Sequence, residues 1–306
     1  MTPFESYIAP ARALPGAWRA LVGLLMIGLI WIAATAGVLL IWAVGAISTG
    51  TSADVIEDQL TTFTKNGDPL EIFLLLLSFS GIWLGVYTAA HWLHRQRLRS
   101  ILSAWPIGAI RGFCKGMLLT VATIIVFTGV TWVVGLVPEE PTRIADLETW
   151  LIWLVPIALA VLIQASAEEL IFRGYLLQQL AARSDHWIVW AVIPSILFGL
   201  LHYGDREGLQ DAYYVGTTFF MGMCMCVLVW RSGSLWPAIG MHVSNNIYAL
   251  LIAGHGTESS GTELWVYPGD SFEQTLQLGP ILYLVLLVIL ISPAGRVFDR
   301  RRSAGY

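Results

Sequence analysis

Two adjacent acids and an arginine, Glu168, Glu169 and Arg173 in AEELIFRGYLL, interrupt a stretch that is otherwise apolar. A charge at the centre of a bilayer costs about 2.5–3.5 kcal/mol even on lenient insertion scales, so ionisable groups at that depth are functional candidates. On a helix Glu169 and Arg173 stand one turn apart and share a face, whereas Glu168 points about 100° away from Glu169. The spacing therefore predicts a paired, structural Glu169 and a Glu168 that faces another partner. The plainer alternative is a helix end at the interface, with Arg173 snorkelling and both acids wet. Two later segments supply complementary groups at the same one-turn spacing. These are Phe198 and His202 in SILFGLLHYG, and His242 and Asn246 in PAIGMHVSNNIYALL, with Asn245 on the adjacent face. Taken singly, such a histidine or asparagine is more simply a hydrogen bond between helices. Taken together, a carboxylate, two imidazoles and an amide at these spacings on successive apolar segments go beyond helix packing and offer the groups of general acid–base chemistry.

The same glutamate and two histidines could instead hold a catalytic zinc with a water in the open position. No HExxH helix brings two histidines onto one face around a glutamate. The expectation is accordingly no metal and no cofactor, with zinc kept as the less favoured alternative. Cys224 and Cys226, one residue apart, lack the spacing of common zinc or redox pairs, and with Cys114 they read as packing residues.

The elements that must position these side chains follow from composition. Of 306 residues, 56% are hydrophobic and 12% charged, against roughly 25% charged in soluble domains. Apolar stretches near the length of about 20 residues that a bilayer requires occur at roughly 18–47, 70–92, 114–137, 149–167, 187–203, 212–230, 234–254 and 276–292. They predict an all-α membrane protein, a polytopic bundle of about eight transmembrane helices forming one domain over residues 1–306. The first stretch is longer than the signal-peptide apolar core of about 7–15 residues and is read as a retained span. With both termini cytoplasmic, 14 of the 17 basic residues fall inside, among them Arg95, Arg97, Arg99, Arg231, Arg300, Arg301 and Arg302. Lys65, Arg143 and Arg206 fall outside, with acids such as Asp54, Asp58, Glu258, Asp270 and Glu273. That sorting fits the positive-inside rule. The arginine clusters read as topology signals and anionic-lipid contacts; nothing beside them indicates nucleic-acid binding.

In order along the chain, EExxxR (Glu168, Glu169, Arg173, then Gly174), FxxxH (Phe198, His202) and HxxxN (His242, Asn246) resemble the signatures of the CPBP family. These intramembrane glutamic endopeptidases unite type II CAAX prenyl endopeptidases with bacteriocin-processing and immunity (Abi-like) proteins. The resemblance covers roughly residues 150–250, the expected peptidase core. It implies that Glu168 and His202 activate a water and that His242 and Asn246 bind the oxyanion, with Glu169, Arg173 and Phe198 in support. It further implies a membrane-associated peptide or protein as substrate, and a multi-pass protein of a bacterial plasma membrane. A non-catalytic scaffold or immunity protein is one rival; an ion- or proton-coupled transporter is another, though the inverted repeats and paired broken spans of transporters are not seen. One conflict stands out. In simple hairpins Glu168 lies at the inner end of its span and His202 at the outer end of the next, so they meet only if the fourth helix is long or tilted. Pro156 and Pro194 are candidate kinks, and the motif helix could continue to about Arg183.

Overall fold

The computed structural model describes residues 1–14, 16–61, 63, 68–136, 139–204, 209–255, 261–268 and 276–299. Of the residues read above, Lys65, Arg206, Glu258, Asp270, Glu273, Arg300, Arg301 and Arg302 lie outside these ranges. The architecture is helical because an apolar chain without water must satisfy its backbone internally. In chain order the helices are α1 (Pro3–Ile8), α2 (Ala17–Ser48), α3 (Ala53–Thr61), α4 (Pro69–Leu93), α5 (Leu98–Leu102), α6 (Ala109–Val133), α7 (Leu147–Ala181), α8 (Ile188–Leu200), α9 (Gln210–Ser232), α10 (Trp236–Ile247, prolonged by the π-turn Tyr248–Ile252) and α11 (Gly279–Ile291). Five of them, α2, α4, α6, α7 and α9, are long and apolar enough to cross a membrane. This is the architecture of an integral membrane protein. The other three expected spans coincide with the shorter α8, α10 and α11. Leu21, Leu25, Leu29 and Ile32 of α2 face outward, where hydrocarbon is their natural solvent.

Polar residues mark the helix starts. Asp68 accepts from the Leu70 amide at 2.8 Å ahead of Pro69, and Asp146 accepts from the Thr149 amide at 3.1 Å, each satisfying an orphan donor of the first turn. Small residues set the crossing of α6 and α10. A Cβ on Gly116 of α6 would come 2.0 Å from the Pro237 carbonyl of α10, and one on Gly240 would come 2.0 Å from the Phe113 carbonyl. Glycine is what lets these two backbones meet.

The span read as ending near residue 167 does not stop there: α7 runs to Ala181, close to the alternative end at about Arg183, passing through a π-helical stretch at Leu170–Leu176. Its 35 residues reach about 50 Å at 1.5 Å per residue, against a hydrocarbon core of about 30 Å. Glu168 is therefore interior to a long helix, and the depth conflict with α8 disappears. The charged motif does not end the helix because its charges are paired and buried, as described below.

At the end of the bundle where α7 finishes, the connecting segments are tied together. Arg183 donates to the Gly16 carbonyl at 2.7 Å, the Ala104 amide to the Gly233 carbonyl at 2.9 Å, and Arg231 pairs with Asp299 at 2.8 Å. The N-terminal arm packs here through buried Phe4, Tyr7 and Ile8. The Tyr7 hydroxyl lies 2.6 Å from the Ile101 carbonyl oxygen and 3.2 Å from that of Arg173. The opposite end carries an element the sequence did not predict, a sheet of order β1-β3-β2 built from β1 (Thr142–Arg143), β2 (Ala253–His255) and β3 (Trp265–Tyr267). β3 runs antiparallel to β1 and parallel to β2. Cys224 and Cys226 are buried free thiols, as expected of packing residues, whereas Cys114 is exposed and does not pack.

Candidate active site

Helices α7, α8 and α10 bring the three motifs together. On α7, Glu169 and Arg173 form the expected pair: Arg173 donates from a terminal guanidinium nitrogen to Glu169 Oε1 at 2.9 Å, and both side chains are 0% exposed. The same carboxylate oxygen lies 2.9 Å from His242 Nδ1 of α10. A carboxylate only accepts when ionised, so Nδ1–H donates and the ring is oriented by its carboxylate. His242 Nε2 then faces Glu168 Oε2 at 3.6 Å. Arg173 is seated over the Phe198 ring at 4.2 Å from its centroid, a favourable cation–π contact where water is excluded. Its space comes from Gly222 of α9, where a Cβ would lie 2.6 Å from the guanidinium.

Phe198 connects the histidines. Its ring meets His202 edge-on at 4.8 Å and His242 at 5.8 Å, both centroid to centroid. His202, just beyond the last turn of α8, has Nδ1 2.8 Å from the Phe198 carbonyl oxygen. Because a carbonyl can only accept, Nδ1 carries a proton, and Nε2 is the basic nitrogen of the neutral ring. Glu168 and His242 both lie close enough to act electrostatically on His202.

The two neighbouring glutamates have different surroundings. Glu169 is sealed in, while the Glu168 side chain retains 16% of its exposure. Glu168 Oε1 accepts from Gln164 Nε2 at 2.7 Å, and Gln164 Oε1 in turn accepts from Asn246 Nδ2 at 2.9 Å. Asn246 Oδ1 accepts from Asn245 Nδ2 at 3.2 Å. Every amide in this chain is thereby given a direction, with donors running Asn245, Asn246, Gln164 and ending on the carboxylate. Glu168, His242 and Asn246 sit within this network; His202 joins through Phe198.

Gln164 escaped the sequence reading. A single glutamine in an apolar stretch carries no motif, yet it stands one helical turn before Glu168, the spacing that linked the other pairs. Among the described residues, no group of three or more His, Cys, Asp or Glu side chains is arranged to hold a metal ion. Chemically, the arrangement offers a partly exposed carboxylate steered at one oxygen and facing an imidazole at the other, a histidine with a basic nitrogen, and an amide donor. These are the components of a general acid–base site.

Comparison with known proteins agrees with the motifs. Residues 149–248 match the family profile described as Type II CAAX prenyl endopeptidase Rce1-like, within two residues of the stretch on which the resemblance rested. A curated relative, the uncharacterized protein YyaK of Bacillus subtilis (strain 168), is 34% identical over 99 residues, which is 32% of this chain and 33% of the relative. The match to this relative thus spans about a third of each chain. No solved structure matches.

Proposed function

We propose that this protein is an intramembrane endopeptidase that hydrolyses a peptide bond in a membrane-associated protein or peptide, with both of its own termini on the cytoplasmic side. The observation that carries the reading is the contrast between the two glutamates: Glu169 is locked in a buried ion pair, while Glu168 remains partly exposed with one oxygen fixed by Gln164 and the other turned to His242. In this reading Glu168 and His202 take the proton from an attacking water. Asn246, and His242 when Nε2 also carries a proton, donate to the oxyanion as charge develops on the carbonyl oxygen, and the collected proton passes to the leaving amine. Glu169 and Arg173 hold His242 in place. Asn246 suits an oxyanion because an amide donates without changing its own charge. The resemblance of residues 149–248 to CAAX endopeptidases supports the same chemistry, and the reaction as written requires no metal.

The test is comparative peptidomics of membranes that contain either the native protein or Glu168→Gln, which keeps size and hydrogen bonding but removes the base. Uncleaved precursors should accumulate with the variant while its abundance and melting temperature stay native. An unchanged cleavage profile would overturn the reading in favour of a scaffold or transporter. Purified protein should go on cleaving the precursors so found after exhaustive chelation. Loss of cleavage that zinc alone restores would replace this mechanism with a metal-dependent one.

A further inference from the structure

At the end of the bundle that holds the N-terminal arm, α4 stops at Leu93 and the chain turns sharply before α5. Arg95 in that turn has φ of 54°, a left-handed conformation that a non-glycine residue keeps only where its surroundings enforce it, as happens at binding sites. Between the turn and the arm lies a cleft of about 590 Å³ whose lining includes Leu14, His94, Arg95, Gln96, Arg97 and Arg99. The three arginines are exposed, none is ion-paired among the described residues, and no acid lines the cleft. His94 and Gln96 are buried, at 2% and 5% exposure. Both polar atoms of the Gln96 amide have no hydrogen-bond partner among the described residues. Buried polar groups without partners are rare enough that each calls for a bonding group. The cleft is also tied to the helix of the candidate site, since His94 Nε2 lies 2.8 Å from the Tyr175 hydroxyl of α7.

We propose that this cleft binds the phosphate of an anionic phospholipid from the adjoining leaflet. Guanidinium groups match phosphate oxygens in a two-pronged geometry. Arginines immediately beyond the end of a membrane helix sit at headgroup level, where anionic lipids concentrate. The position fits, because exposed Trp92 stands in the last turn of α4, directly before these residues. A free phosphate offers the same chemistry, so the lipid is assigned by location, and the experiment separates the two sources.

Full-length protein is reconstituted into nanodiscs of phosphatidylcholine alone, or of phosphatidylcholine mixed with phosphatidylglycerol. The readouts are melting temperature and the phosphatidylglycerol that stays bound in native mass spectrometry. Native protein should melt higher in the mixed discs and retain phosphatidylglycerol. The triple variant Arg95→Gln/Arg97→Gln/Arg99→Gln should melt like native protein in phosphatidylcholine but retain phosphatidylglycerol about 100-fold less, at about fivefold per arginine. Gln96→Leu leaves the charge unchanged and removes an unpartnered amide. It should be at least as stable as native protein in phosphatidylcholine, yet lose most of the lipid-dependent shift. Native-like phosphatidylglycerol binding by the triple variant would overturn the proposal. So would a full lipid response from Gln96→Leu, which would mean a diffuse basic surface without a built site. If inorganic phosphate alone reproduces the whole shift in phosphatidylcholine discs, the lipid assignment falls.

Discussion

Gln164 touches both halves of the candidate centre, donating to Glu168 and accepting from Asn246, and so decides how the carboxylate and the amide present themselves to a substrate. Gln164→Leu removes both bonds while nearly preserving volume. A hydrogen bond to a charged group is worth about 1.5–3 kcal/mol, which corresponds to roughly 10–150-fold in rate. We expect kcat to fall in that range with KM changed far less. Steady-state kinetics of the variant beside native protein make the check; a KM that rises as much as kcat falls would overturn it. At this scale much was legible beforehand: the one-turn spacings correctly joined Glu169 to Arg173 and Phe198 to His202. The link that no spacing could reveal is the one between helices, such as His242 on Glu169, because it depends on how α10 lies against α7.

Among the elements, α7 owes its length to its neighbours as well as to its own sequence. Hydropathy placed its end near residue 167, since a run of charges ordinarily marks where a span leaves the bilayer. The helix continues to Ala181 because Arg173 is neutralised by Glu169, stacked on Phe198 and accommodated beside Gly222. Glu169 could be read from α7's own sequence, but Phe198 and Gly222 stand on α8 and α9 and could not. The sheet was equally invisible, since strands of two and three residues are too short for a period of two to show. The seat of Arg173 can be tested from both sides. Arg173→Ala leaves a fully buried carboxylate short of its partner, a loss of about 3–5 kcal/mol when a buried pair is broken on one side. Gly222→Ala leaves the pair intact but crowds the guanidinium, and overpacking costs about 1–3 kcal/mol. Melting temperatures should rank native protein above Gly222→Ala and Gly222→Ala above Arg173→Ala. A fully stable Arg173→Ala protein would return the motif to a wet interface.

At the scale of the whole molecule, charge sorting and structure agree on which loops lie together. The segments carrying Arg12, Arg95, Arg97, Arg99, Arg183 and Arg231 share the end at which α7 finishes, as the contacts of Arg183 with Gly16 and of Ala104 with Gly233 show. Reporter fusions after Arg99 and after Arg302 should both report cytoplasm, and one near Asp58 the exterior; the opposite pattern would invert the proposed orientation. The arm at that end has a temporal implication as well. The Tyr7 hydroxyl bonds near Arg173, a partner 166 residues further along the chain. His242 lies another 73 residues past Glu169. At about 5–20 residues per second, a ribosome needs roughly 10–30 s to travel from the first tyrosine to the arginine it reaches, and longer to deliver the histidine. Under the proposed activity, the early helices spend that interval in the membrane as an unarmed precursor, and a chain whose translation stalls before α10 can be cleared without ever having been able to cut.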